Sequence, residues 1–184
     1  VDQVISENGK IKGVTLENGN SYLAPIVASN MDVKRTFLKH TNRNELPSDF
    51  TKAVERFKIR GSSGKINIAL DAMPTFTAAP KNAPFLRGDL HCSTSLTELE
   101  RAYDDWKEGL WSKDPYFDML IPSQIDPTMA PKGKHMMTVF VQYAPYDLKV
   151  DGVRAGANWT DAKRQEFGNT VLDKIELACP DIRE

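Results

Sequence analysis

The segment Arg60-Gly61-Ser62-Ser63-Gly64-Lys65 holds residue types that bind phosphate: glycines that free the backbone, two hydroxyls and a lysine. A phosphate-binding P-loop needs a glycine five residues before its Gly-Lys pair and a Ser or Thr directly after it. Those places hold Ile59 and Ile66, and the flanking patterns run helix, loop, strand rather than strand, loop, helix. The segment is therefore read as a helix-to-strand turn, with Gly61 and Gly64 supplying backbone freedom and Ser62 and Ser63 local hydrogen bonds. Gly64 is expected to need a positive φ. Arg56, Lys58, Arg60 and Lys65 cluster around the turn, where they either hold an acidic group or form a solvated loop.

The other reactive side chains are scattered. His40, His91 and His135 have no Cys, His, Asp or Glu at a ligand spacing, so no metal site is expected. His91 and Cys92 are adjacent, and neighbours on a strand point to opposite faces. Asp104 and Asp105 invite a carboxylate-pair reading but fall on an amphipathic helix, as its solvated face. Asn158-Trp159-Thr160 is a glycosylation acceptor only in a secreted chain. Met136-Met137-Thr138-Val139-Phe140-Val141-Gln142-Tyr143 reads as a core strand that could also wall an apolar cavity.

Composition narrows the classes. The 184 residues suffice for a buried core, and 40% apolar with 27% charged residues describes a globular chain. With 24 basic and 25 acidic side chains the net charge is -1, so no global field draws nucleic acid or an anionic membrane. There is no apolar run long enough for a spanning helix. The start, Val1-Asp2-Gln3, shows neither an initiator Met nor a signal pattern, and reads as part of a longer chain. Two distant cysteines, Cys92 and Cys179, fit a reducing compartment, hence a cytoplasmic expectation.

These side chains must be positioned by a small set of elements. Residues 4–22 alternate apolar and polar around two Asn-Gly pairs, which predicts three short antiparallel strands joined by type I′ turns. Ala24 to Asn30 reads as a buried strand, Asp32 to Leu38 as a short helix. Ser48 is expected to cap a helix that aligns Phe50, Val54 and Phe57. Lys65 to Leu70 alternates as a strand with Ile66, Ile68 and Leu70 inward, and a further strand is expected around Leu86 to Cys92. Ser95 and Glu98 form a capping box before Leu99, Tyr103 and Trp106. Tyr116 to Ile121 and His135 to Tyr143 read as strands, and Thr160 to Ala178 as a helix with Phe167, Val171 and Ile175 on one face. The order predicts an α+β fold with a mixed or antiparallel sheet flanked by amphipathic helices.

Several segments together resemble one family. "GVTLENGNSYLAPIVASNMDVKRTFLK" is similar to the stretch of phytoene desaturase-type flavoproteins in which the chain leaves the FAD domain for the substrate domain. "RFKIRGSSGKINIALDAMP" and "LERAYDDWKEGLWSKDPYFDMLIPSQIDPTMAPKGKHMMTVFVQYAPYDL" resemble the substrate-domain half of phytoene dehydrogenase-related proteins, the nearest subgroup being the pyridine nucleotide-disulphide oxidoreductase domain proteins.

The resemblance implies a two-domain FAD-dependent oxidoreductase of the amine-oxidase and phytoene-desaturase type. Residues 1–33 would be the tail of the FAD domain and 34–184 the substrate-binding domain. The family's Gly-x-Gly-x-x-Gly fingerprint is absent from this sequence, so the isolated chain is expected neither to hold FAD nor to turn over. Ser29 and Asn30 match the family's strand end beside the cofactor. Arg60, Ser62, Ser63, Lys65, Met137, Phe140 and Gln142 are the candidates for substrate contact, and no catalytic residue is assigned. The implied partners are the remainder of the FAD domain and an apolar small molecule, with no nucleic acid. Lipophilic substrates in the family raise peripheral membrane contact as a further reading. A non-catalytic interaction or scaffold domain with the same fold is the alternative.

Overall fold

The computed structural model describes residues 1–80, 82–93, 95–154 and 159–184. Asn158, the acceptor of the glycosylation pattern, lies outside them. The chain forms two compact units, Val1–Ile59 and Arg60–Glu184.

In the first unit β1 (Gln3–Glu7), β2 (Lys10–Thr15) and β3 (Ser21–Leu23) form the expected antiparallel sheet in the order β1-β2-β3. Asn8 and Gly9 turn with φ of 51° and 72°, the doubly positive pair of a type I′ hairpin. The second connection differs from expectation. Only Gly19 has a positive φ there, and Leu16 closes the longer loop by accepting from Gly19 N and donating to Asn20 O. Ala24 to Asn30 is not a strand. Ile26 is 82% exposed, and an apolar run without a neighbouring strand has no ladder to join. The following helix is a single wide π-type turn, Arg35–Lys39. Buried His40 ties it to the first strand, its Nδ1 lying 2.6 Å from Asp2 O while its carbonyl accepts from Val4 N. Helix α1 (Ser48–Arg56) forms, but Ser48 lies inside it and makes no cap bond; Pro47 occupies the cap. Val54 is buried, and Phe50 packs edge-on against Phe37 at 5.0 Å.

The second unit is built on a four-stranded sheet of β4 (Ser63–Leu70), β5 (Leu90–His91), β6 (Tyr116–Leu120) and β7 (His135–Gln142), in the order β4-β7-β6-β5. Every ladder among the described residues is antiparallel, which settles the mixed-or-antiparallel expectation. Between Leu86 and Cys92 only Leu90 and His91 are extended, after a short 3₁₀ turn at Pro84–Arg87.

Strand parity decides the two faces. Ile66, Ile68 and Leu70 of β4, Met137, Val139 and Val141 of β7, and Phe117 and Met119 of β6 share one side. Helix α3 (Asp161–Ala178) covers that side with Phe167, Val171 and Ile175 at helical spacing, followed by Cys179. Its start is capped by Thr160, which accepts from Lys163 N. Helix α2 (Leu96–Lys107) carries the expected capping box: Ser95 accepts from Glu98 N, and the Glu98 carboxylate accepts from Ser95 N. Buried Ser112 then fastens α2 to the sheet. Its hydroxyl donates to Ala102 O and accepts from Tyr143 N.

Candidate functional site, the open face of the sheet

The side of the sheet turned away from α3 carries Lys65, Asn67, Tyr116, Asp118, Leu120, Thr138, Phe140 and Gln142. The pairing sets Ser63 and Tyr116 on either side of Gln142, and Lys65 and Asp118 on either side of Phe140. His91 on β5 extends the row opposite Asp118. Phe140 is 44% exposed and Leu120 is exposed as well, so the face offers apolar contact area between polar rows. Such a surface can hold a flat or extended apolar molecule and fix its polar end.

The polar end of the face is a linked group. Tyr116 Oη lies 2.9 Å from His91 Nδ1, and that nitrogen is paired with Asp118 Oδ1, an oxygen sealed from water. The hydrogen bond to Asp118, with burial and the same charge adding to it, pushes the Tyr116 hydroxyl up to about 12. Tyr116 is thus held neutral as a donor. Asp89 approaches the other His91 nitrogen at 4.0 Å.

At the end where β4 starts and β7 finishes, three aromatic rings gather. Tyr103 stacks on Trp106 at 5.3 Å, and Tyr143 meets Tyr103 edge-on at 5.4 Å. Trp106 Nε1 donates to Gly61 O at 2.8 Å, which fixes the platform to the glycine-serine segment.

That segment is not the turn that the sequence suggests. Ser62 O accepts from Ala144 N and Arg60 O from Tyr146 N, so residues 60–62 prolong the β4–β7 pairing past the regular ladder. Gly61 has a φ of 63°, whereas Gly64 sits in β4 without a positive φ. What requires glycine at 64 is space: a Cβ there would lie 2.6 Å from the Phe167 ring.

Lys65, Phe140 and Gln142 come together on the open face, and Ser63 joins them at its margin. Arg60 and Ser62 are exposed on the adjoining segment, where Ser62 Oγ lies 3.3 Å from Ser63 Oγ. Met137 does not join them. It is fully buried on the α3 side because it differs from Phe140 and Gln142 in strand parity. A groove of about 350 Å³ along the first half of β4 shares Ser63 and Lys65 with the candidate set and is otherwise lined by Tyr146, Trp159, Arg164 and Phe167, among others. In the first unit, Ser29 Oγ pairs with Thr36 Oγ1 at 2.8 Å and accepts from Met31 N, while Asn30 is exposed. Sequence reasoning missed Tyr116, Asp118 and His91. The alternation of Tyr116 and Asp118 with buried Phe117 and Met119 marks the first two; His91 needs the β5–β6 register.

Comparison with known proteins identifies the family. No family model matches the chain. It is 35% identical over 183 residues, 96% of its length, to the pyridine nucleotide-disulfide oxidoreductase domain-containing protein 2 of Rattus norvegicus. It is 31% identical over 134 residues, 72% of its length, to a phytoene desaturase of Fusarium fujikuroi. The chain is a homologue of the phytoene desaturase-related oxidoreductases. A further relative of this family, the chloroplastic prolycopene isomerase of Daucus carota, is 31% identical over 76% of the chain. The matched region spans 30% of the rat protein and about a fifth of the other two. The α+β architecture expected from the family is the one observed. No helix among the described residues is long and apolar enough to cross a membrane.

Proposed function

We propose that the chain is the substrate-binding part of an FAD-dependent oxidoreductase of the phytoene-desaturase kind, acting on an apolar substrate. The observation that carries this reading is the division of one sheet into a helix-sealed face and an open face bearing Phe140, Leu120 and Tyr116, in a homologue of proteins more than three times its length. The open face is the wall on which an apolar molecule would lie, with Lys65, Gln142 and the Tyr116–His91–Asp118 group at its polar margins.

The residues present do not by themselves fit FAD. The sequence has no Gly-x-Gly-x-x-Gly, and the described strands include no parallel pair of the kind that ends at a phosphate-binding helix start. In this reading residues 1–33 belong to the FAD domain and 34–184 to the substrate domain, and the flavin is held chiefly by sequence outside this chain. Ser29 and Asn30 are its cofactor-side residues. Arg60, Ser62, Ser63, Lys65, Phe140 and Gln142 are its substrate-side residues. Binding and orienting the substrate is the role proposed for them; the redox chemistry would be the cofactor's. A cytoplasmic location, with peripheral membrane contact through the lipophilic substrate, belongs to the same proposal.

The test is flavin titration of the full-length gene product beside the 184-residue chain. The long form should bind FAD with a perturbed flavin spectrum, and the short chain should leave the spectrum of free FAD unchanged. A long form that purifies colourless and ignores added FAD overturns the reading and favours a non-catalytic interaction domain with this fold.

A further inference from the structure

We propose that Asp89, His91 and Asp118 form a binding site for a divalent metal ion at the β5 edge of the open face, with the Tyr116 hydroxyl beside it. Each of the three offers one ligand atom, and these atoms all lie within 4.8 Å of one another. The placement is built into the pairing. Asp89 directly precedes β5 and its carboxylate comes within 4.0 Å of His91 Nε2, and the β5–β6 register sets Asp118 directly opposite His91. In tetrahedral coordination with bonds of about 2.1 Å the ligand atoms stand roughly 3.4 Å apart. Asp89 and His91 are exposed, which leaves their side chains room to close toward that spacing.

Charge supplies the driving force. The two carboxylates face the same imidazole, Asp89 at 4.0 Å from Nε2 and Asp118 in direct contact with Nδ1, and a divalent ion would offset both negative charges at once. Among the described residues no lysine or arginine is ion-paired with either carboxylate. Asp118 Oδ1 is shielded from water, so solvent does not screen it. A mixed set of imidazole nitrogen and carboxylate oxygen suits Zn²⁺, Mn²⁺ or Fe²⁺ rather than a soft thiolate-seeking ion. The Tyr116 hydroxyl, 2.9 Å from His91 Nδ1, is placed to hydrogen-bond a water in the fourth position. This site does not depend on the flavoprotein reading and can be tested on the 184-residue chain alone.

The experiment is calorimetric titration of the chain with ZnCl₂, alongside His91→Ala, Asp118→Asn and Asp89→Asn. One saturable site is expected, with affinity falling at least about tenfold in the first two variants and less in the third. Circular dichroism checks that the variants keep the sheet. Addition of Co²⁺ to the unaltered chain is the second measurement, since a paramagnetic ion at the site broadens the NMR signals of the His91 ring before those of His40 and His135. Absence of saturable heat overturns the proposal, as does binding that survives both His91→Ala and Asp118→Asn. Should a variant lose its fold, an unbroadened His91 ring decides against the site on its own.

Discussion

The two faces of the four-stranded sheet have opposite physical characters although the same strands make both. On β7 the side chains of Met137, Val139 and Val141 are fully buried under α3, while their alternating neighbours Thr138, Phe140 and Gln142 reach the other side, where Phe140 is 44% exposed. One face is sealed from water by α3. The other keeps aromatic and aliphatic groups accessible among Lys65, Asp118 and Tyr116. Phe140 and Leu120, exposed on adjacent strands, are not part of the buried core cluster. Stability should therefore reside on one face and binding on the other, and substitutions can separate them.

The widest separation is expected at Phe117. It is fully buried against Val139, Val141 and the α3 side chains in the central cluster, and Phe117→Ala should cost about 3–5 kcal/mol. Denaturant unfolding followed by circular dichroism measures this. A loss below about 1 kcal/mol would mean that the α3 side is not the structural face.

Cysteine chemistry probes the same seal. Cys179 closes α3 on the buried side, and burial pushes its thiol up to about 12 from an ordinary value near 9. Its reaction with a disulfide reagent at neutral pH should then be at least about tenfold slower in the folded chain than after unfolding. The folded-state pKa is raised, so this thiol's contribution to stability is complete below about pH 9 and disappears as the pH rises toward about 12. Cys92, half-buried, has its thiol raised by the same cause, opposed by the charge of Lys174. A fast-reacting Cys179 would show the face to be open.

Gly64 lies where the sealed face meets the end of the ladder. Gly64→Val would drive a branched side chain into the Phe167 ring, itself held by Trp159 at 5.5 Å and Trp111 at 6.2 Å, at a cost of about 1–3 kcal/mol. The thermal midpoint reports the loss, and an unchanged midpoint would show that Phe167 is free to move aside.

What could be read from the sequence follows the range of each cause. The capping box at Ser95 and Glu98, the alternation of Ile66, Ile68 and Leu70, and the α3 stripe through Phe167, Val171 and Ile175 are local patterns, and each element formed as expected. Ala24 to Asn30 has the composition of a strand, but a strand exists only with a partner, and no local pattern supplies one. Ser48 has the right side chain for a cap, yet the helix starts one residue early, behind Pro47. On the open face, Lys65, Phe140 and Gln142 were accessible to parity reasoning, and the same parity excludes Met137. The meeting of His91 with Asp118 depends on a register between segments 27 positions apart with a helix between them, and neither residue announces it.

Phe140 offers the smallest stability change and the sharpest contrast with Phe117. Both are phenylalanines on paired central strands, one residue out of direct register, and they differ only in the face they use. Phe140 stands between Lys65 and Asp118 and keeps 44% of its surface exposed, so Phe140→Ala should cost about 1 kcal/mol, well under the cost at Phe117. Binding should respond differently. In the full-length protein the same substitution should weaken retention of an apolar ligand while lowering the unfolding midpoint far less than Phe117→Ala does, because the exposed part of the ring makes contact only when a molecule lies on it. Measuring both quantities on one variant decides the matter: a loss of stability comparable to that of Phe117→Ala would make the open face a second core, and an unaltered affinity would remove it from the binding surface.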